Sequence, residues 1–156
     1  GLLHEAIYSG LLSTDDTVED TTKTALEFAL EKHLEEFLVA NWKSTVLGSK
    51  YEIYEKDGIV GQQFITDTGR IDILAISKDQ KELLVVEPKK GQASDAVVGQ
   101  IQRYMSYVFD ELADTDQTVR GAIIAFGDDP KIRRALKIAR DIDFYRYEVN
   151  FTLNQE

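Results

Sequence analysis

The chain has 156 residues, 28 acidic against 18 basic side chains for a formal charge of −10, and no cysteine. That length fits one domain with 43% hydrophobic residues to build a core, and the absence of thiols excludes disulfide frameworks and thiolate metal sites. The acidity argues against a general nucleic-acid coat, and no apolar run reaches the length of a membrane span, so the expectation is a soluble, cytoplasmic protein with no membrane partner.

Residues 1–20 are weakly patterned and read as a mobile arm, followed by a single domain over 21–156. In residues 22–42, Leu26, Leu30, Leu34, Phe37 and Leu38 recur at helical spacing. Glu27, Glu31 and Glu35 are spaced by four and share a face of that helix, a solvated edge unless one member turns inward. Residues 59–66 and 70–77 read as strands, 78–81 as a polar turn and 82–89 as a returning strand. Ser94 or Asp95 is placed to cap a helix to about residue 112, with a core stripe of Val97, Ile101, Met105, Val108 and Leu112. Residues 119–126 are continuously apolar, the mark of a strand covered on both faces. Asp129 and Pro130 open a helix ending near residue 140, made basic by Lys131, Arg133, Arg134, Lys137 and Arg140. A last strand over 144–153 alternates Tyr145, Tyr147, Val149, Phe151 and Leu153 with polar residues. The order αβββαβαβ predicts one α/β domain with a mixed sheet between helices.

The chemistry concentrates on the central hairpin. If residues 78–81 form a four-residue loop, Ser77 pairs with Glu82, and counting back sets Asp72 opposite Glu87. Alternation then places Asp72 on a face with Leu74 and Ile76, and Glu87 on a face with Leu83, Val85 and Lys89. Opposed acids repel, and burial worsens the repulsion unless one is protonated or a cation sits between them. A hard divalent cation such as Mg²⁺ suits such a pair, with Lys89 able to orient a water or offset charge on a phosphate. The plainer alternative is that both acids flank strand ends and form salt bridges to Lys89 or Arg70. On the next helix Gln100, Tyr104 and Tyr107 form a stripe beside the core, either extending the site or packing as ordinary interface residues. Gly99 inside that helix predicts a close packing contact. His4 and His33 are isolated and receive no role.

Three segments carry a family resemblance: Gly69-Arg70-Ile71-Asp72-Ile73-Leu74-Ala75, Val85-Val86-Glu87-Pro88-Lys89-Lys90-Gly91, and Gly99-Gln100-Ile101-Gln102-Arg103-Tyr104-Met105. Asp72 followed by Glu87-x-Lys89 resembles the PD-(D/E)XK nuclease superfamily. The added Gly-Gln-x-x-Arg-Tyr helix is similar to the catalytic domain of NucS/EndoMS-type endonucleases, over roughly residues 27–153. The resemblance implies a restriction-endonuclease-like α/β/α sandwich, an αβββαβ core plus a further αβ, hydrolysing DNA phosphodiesters with Mg²⁺ or Mn²⁺. It implies Asp72 and Glu87 as metal ligands and Lys89 as the catalytic lysine. Gln100 and Tyr104 would be supporting positions, and Glu31 the acid of the first helix with Glu35 as fallback. Arg70, Lys90 and Arg103 beside these motifs are candidate DNA contacts. Pro88 departs from the apolar residue usual between the acid and the lysine; it predicts a strand end or bulge that can displace Lys89 or silence the site. The likeness does not include the N-terminal DNA-binding and dimerising domain of NucS-type proteins, so substrate targeting does not carry over, and a further DNA-binding domain or protein partner is expected to supply it. The competing expectation is a nuclease-fold module that binds nucleic acid or protein without cutting.

Overall fold

The computed structural model describes residues 24–150 and 152–156; the expected arm over 1–20 lies outside them. Helix α1 (Ala25–Ala40) begins at Thr24, whose hydroxyl accepts from the Glu27 N–H at 3.1 Å. After a short 3₁₀ turn come β1 (Tyr51–Ile53), β2 (Glu55–Lys56), β3 (Ile59–Val60), β4 (Gln62–Ile65), β5 (Arg70–Ser77) and β6 (Glu82–Pro88). Helix α2 (Ser94–Glu111), β7 (Thr118–Phe126), α3 (Pro130–Leu136) and β8 (Ile142–Tyr147) complete the order.

The main sheet runs β1-β5-β6-β7-β8, with β4 also on β5, while β2 and β3 pair separately. The β1, β4 and β6 pairings with β5 are antiparallel; β6 with β7 and β7 with β8 are parallel. Antiparallel neighbours need only a turn, whereas each parallel step needs a crossover, supplied here by α2 and α3. The expected mixed sheet is therefore present. Its faces are covered by different helices. Leu34, Leu38 and Trp42 from the α1 side pack on Ile73, Ala75, Leu84, Val86, Ala122 and Ile124. Val97, Ile101, Tyr104 and Val108 of α2 and Ile132 of α3 pack on Leu74, Leu83, Val85 and Ile123. Consecutive residues of β6 and β7 thus serve opposite cores, which is why both strands are apolar without alternation. At Gly121 a Cβ would sit 2.7 Å from Met105 Sδ and 2.9 Å from Ile101 Cδ1, so α2 crosses β7 closely there and a larger residue would make those side-chain ends shift.

Several boundaries differ from expectation. Where three strands precede α2 in the sequence reading, six form; residues 59–66 divide into β3 and β4, and β1 arises from a segment with too short a pattern to read. Helix α2 starts at Ser94 with Ala93 in the cap position and no side-chain cap, because Ser94 Oγ donates to Asp129 Oδ2 at 2.8 Å instead. Asp129 does cap α3, accepting from the Ile132 N–H at 3.0 Å. That helix ends at Leu136 and β8 ends at Tyr147, both earlier than their periodicity suggests. Gly99 meets only the Arg103 guanidinium, at an ordinary 3.5 Å, so the expected close contact is absent there. No helix among the described residues is long and apolar enough to cross a membrane.

Candidate active site

The loop that sets the hairpin register is closed by one side chain. Ser77 Oγ accepts from the N–H groups of Lys81 and Glu82 and donates to Asp79. Pairs Ile76↔Leu83 through Ile73↔Val86 follow in the expected register. One step on, at Asp72 and Glu87, the backbone ladder stops. Glu87 Oε1 takes its place, accepting from the Asp72 N–H at 3.2 Å.

Strict alternation also fails here. Ile71 and Leu74, three apart, share the α2-side core, while Ile73 joins the α1-side core. The Leu74 N–H points to Gly61 beside β4, yet the Asp72 N–H turns toward β6. Opposite this twist Gln63 of β4 holds a positive φ of 54°, costly for a residue with a Cβ. The twist corrects the expected face: Asp72 does not simply follow Leu74 and Ile76 but reaches toward α1. There Gln63 Nε2 donates both to Asp72 Oδ1 at 3.0 Å and to Glu35 Oε1 at 2.6 Å, and Gln62 Nε2 donates to Glu35 Oε2 at 3.0 Å.

The charged partner is Lys90. Its Nζ lies 2.9 Å from Asp72 Oδ2 and 3.4 Å from Glu35 Oε1. This corrects the salt-bridge alternative, which named Lys89 or Arg70, and sets the ammonium of the exposed Lys90 against two of the acids. Lys89 donates its backbone N–H to Ile124 O at 2.8 Å, continuing the β6–β7 ladder. Because successive N–H groups point to opposite sides of a strand, the Pro88 nitrogen faces the β5 side, where the ladder has already ended. Proline therefore costs the sheet no hydrogen bond, and β6 ends there without a bulge.

Glu31, Glu35, Asp72 and Glu87 are the only buried polar or charged residues among the described residues. The solvated-edge reading of the helical acids is thus overturned for Glu31 and Glu35, while Leu26 and Phe37 of the expected apolar stripe are exposed. Glu35, rather than Glu31, engages Asp72 through shared partners; Glu31 Oε2 sits near Gly91, 3.5 Å from where a Cβ would stand. Burial first, and the charge of Asp72 second, push the Glu87 carboxyl up to about 9. Burial likewise raises Asp72, against the opposing pull of Lys90. The Lys90 ammonium is held above its ordinary value because Asp72 and Glu35 outweigh its own desolvation.

Gln100 and Tyr104 form a separate pair. Gln100 Nε2 donates to the Tyr104 hydroxyl at 3.1 Å, and that hydroxyl would be 2.6 Å from a Cβ at Gly69, whose φ is 147°. They buttress the turn leading into β5 and make no hydrogen bond to the acids, while Tyr107 lies beyond them on the same helix. Arg70 is exposed at the start of β5. Arg103 is exposed beside a cavity of about 230 Å³ that also carries Asp67, Asp110 and Glu111, an unfavourable setting for phosphate. Gln62, Gln63 and the pairing role of Lys90 were not anticipated; two glutamines in a short strand carry no motif.

Among the described residues no group of three or more His, Asp or Glu side chains is already arranged around one metal position. Two carboxylates suffice for Mg²⁺ when water and a phosphate complete the shell. Asp72 and Glu87 are hard oxygen donors with more negative charge than their burial tolerates, so their chemistry fits a divalent cation.

No protein-family model matches the chain, and no curated protein sequence matches it. Among solved structures, a repair endonuclease from Pyrococcus abyssi superposes with a TM-score of 0.57 at 19% identity, over 76% of this chain and 46% of that one. The structure of an EndoMS–double-stranded DNA complex superposes with a TM-score of 0.58 at 20% identity, over 78% of this chain and 46% of that one. The match thus spans less than half the length of either solved protein. At these identities the comparison establishes architecture: this chain has the α/β fold of the matched part of those two proteins.

Proposed function

We propose that this domain is a DNA endonuclease that hydrolyses phosphodiester bonds with Mg²⁺ or Mn²⁺ held by Asp72 and Glu87. The observation supporting it most is the burial of four carboxyl groups, and of no other polar or charged residue among the described residues, around the point where the central hairpin splays. Concentrating Glu35, Asp72 and Glu87 in this way costs desolvation, which the one Lys90 ammonium paired with Asp72 and Glu35 offsets only in part. The fold likeness to a repair endonuclease and to EndoMS in complex with double-stranded DNA points the same way.

The cation, when bound, supplies Lewis acidity toward a phosphoryl oxygen and acidifies a water. The protein supplies the placement. The Glu87 carboxylate is held by the Asp72 N–H, and Asp72 is oriented by Gln63, which also fixes Glu35. Lys89 is half-buried and stays outside the ion pairs of Asp72 and Glu35, leaving its ammonium for charge developing on phosphate. Gln100 and Tyr104 hold the turn that sets the start of β5.

The test is nicking of supercoiled plasmid and cleavage of branched DNA with Mg²⁺ or Mn²⁺. EDTA and Asp72→Asn are expected to abolish cleavage, and Lys89→Ala to lower it by about 10²-fold or more, the scale for removing a charge-stabilising group. A second reading, a nuclease-fold module that binds without cutting, is favoured by Lys90 occupying the acids and by the charge of −10. Persistent inactivity on every substrate with DNA binding intact selects that second reading.

A further inference from the structure

We propose that Lys90 is a tethered counter-cation of the acidic cluster, competing with a divalent cation for Asp72, so that metal binding requires its release. The inference rests on the reading of Asp72 as a metal ligand and assigns the residue that sets the metal affinity.

In the state described, both oxygens of Asp72 are engaged, Oδ1 by Gln63 and Oδ2 by the Lys90 ammonium at 2.9 Å. A Mg²⁺ ion bonds carboxylate oxygen at about 2.0–2.1 Å. Set on Oδ2, it would face a like charge only a few ångströms away in a partly buried site, where screening is weak. The two cations therefore exclude one another, and occupancy by one is the departure of the other.

The surroundings allow that departure. Lys90 lies beyond the end of β6, in the five-residue loop before α2, and no sheet hydrogen bond fixes it. Its backbone N–H is instead taken by the Gln92 side chain, and Gly91 turns the chain at a φ of 96°. The Lys90 side chain is one-third exposed, against about one-tenth for Asp72 and Glu35. A four-carbon stem with its head near solvent can leave by rotamer changes alone. Glu35 and Asp72 keep their places meanwhile, because Gln62 and Gln63 hold them independently of Lys90. Lys89 is poorly placed to substitute: its backbone is pinned to β7 and it forms neither ion pair.

Mn²⁺ binding to the full chain, read by electron paramagnetic resonance of the free ion, tests this without DNA. Lys90→Gln is expected to bind Mn²⁺ about tenfold tighter than wild type, within the range of ordinary coupling between ligands. Lys90→Arg, which keeps the charge, is expected to remain near wild type, and Asp72→Asn to lose the site. Equal or weaker binding by Lys90→Gln overturns the proposal. In the unmutated protein, acylation of Lys90 should speed up on adding Mg²⁺ while that of Lys89, read in the same mass spectrum, does not. A Lys90 rate indifferent to Mg²⁺ also overturns it. Tighter Mn²⁺ binding without cleavage of any DNA keeps the proposal and rejects the nuclease reading. Cleavage with unchanged Mn²⁺ affinity does the reverse.

Discussion

Glu87 is 1% exposed, yet its carboxylate accepts a backbone N–H beside a second buried acid. Its folded value of about 9 lies above the unfolded 4.5, so between those limits the folded state holds the extra proton. The stability from this group is complete below about 4.5 and is lost as pH rises toward 9. Metal-free protein should therefore lose stability across that window, and Glu87→Gln should flatten the loss, as read from urea denaturation at a series of pH values. Protonation differences at carboxyls remote from Glu87 cancel in the comparison of the two chains, and Asp72, which interacts with Glu87, changes along with it. At this scale Asp72 and Glu87 were legible because they interrupt an apolar hairpin whose loop length can be counted. Lys90 was not. It lies past the last strand residue, where alternation no longer dictates direction, and the twist that turns Asp72 toward it depends on Gln63 in another strand.

Among the elements, α3 is the one whose cap matters beyond the helix itself. Asp129 receives the Ile132 N–H on one oxygen and the Ser94 hydroxyl on the other, linking the starts of α3 and α2. Asp129→Ala should cost about 1 kcal/mol, in the range of 0.5–2 for lost caps, measured by chemical denaturation. Ser94→Ala should cost less, since α2 does not use that hydroxyl as its own cap. The Asp129-Pro130 start was readable because cap and first-turn chemistry are local. The α1 face was not. Its helical spacing pointed to Leu26 and Phe37, but the helix buries Glu31, Leu34, Glu35 and Leu38. A helix that presents acids to a site breaks the pattern from which its orientation is inferred.

On the scale of the whole molecule, two cores clamp one sheet from opposite sides, and the acids sit at its margin. A ligand that binds only this folded arrangement must stabilise all of it. Mn²⁺ at about one hundred times its dissociation constant should add about 2.7 kcal/mol, a rise of roughly 5–10 °C in the melting temperature for a domain of this size. EDTA and Asp72→Asn should both cancel the rise in a thermal melt; a rise that survives Asp72→Asn would place the metal elsewhere. The sequence by itself determined the α/β class, the hairpin register and the opposition of Asp72 to Glu87. Those follow from short-range periodicity and a countable turn. Only the tertiary structure decided that Glu35 joins them, that Gln63 bridges Glu35 and Asp72 and that Lys90 pairs with both. These contacts cross between α1, β4, β5 and the loop after β6, and their distances depend on sheet twist and helix rotation, which no local pattern encodes.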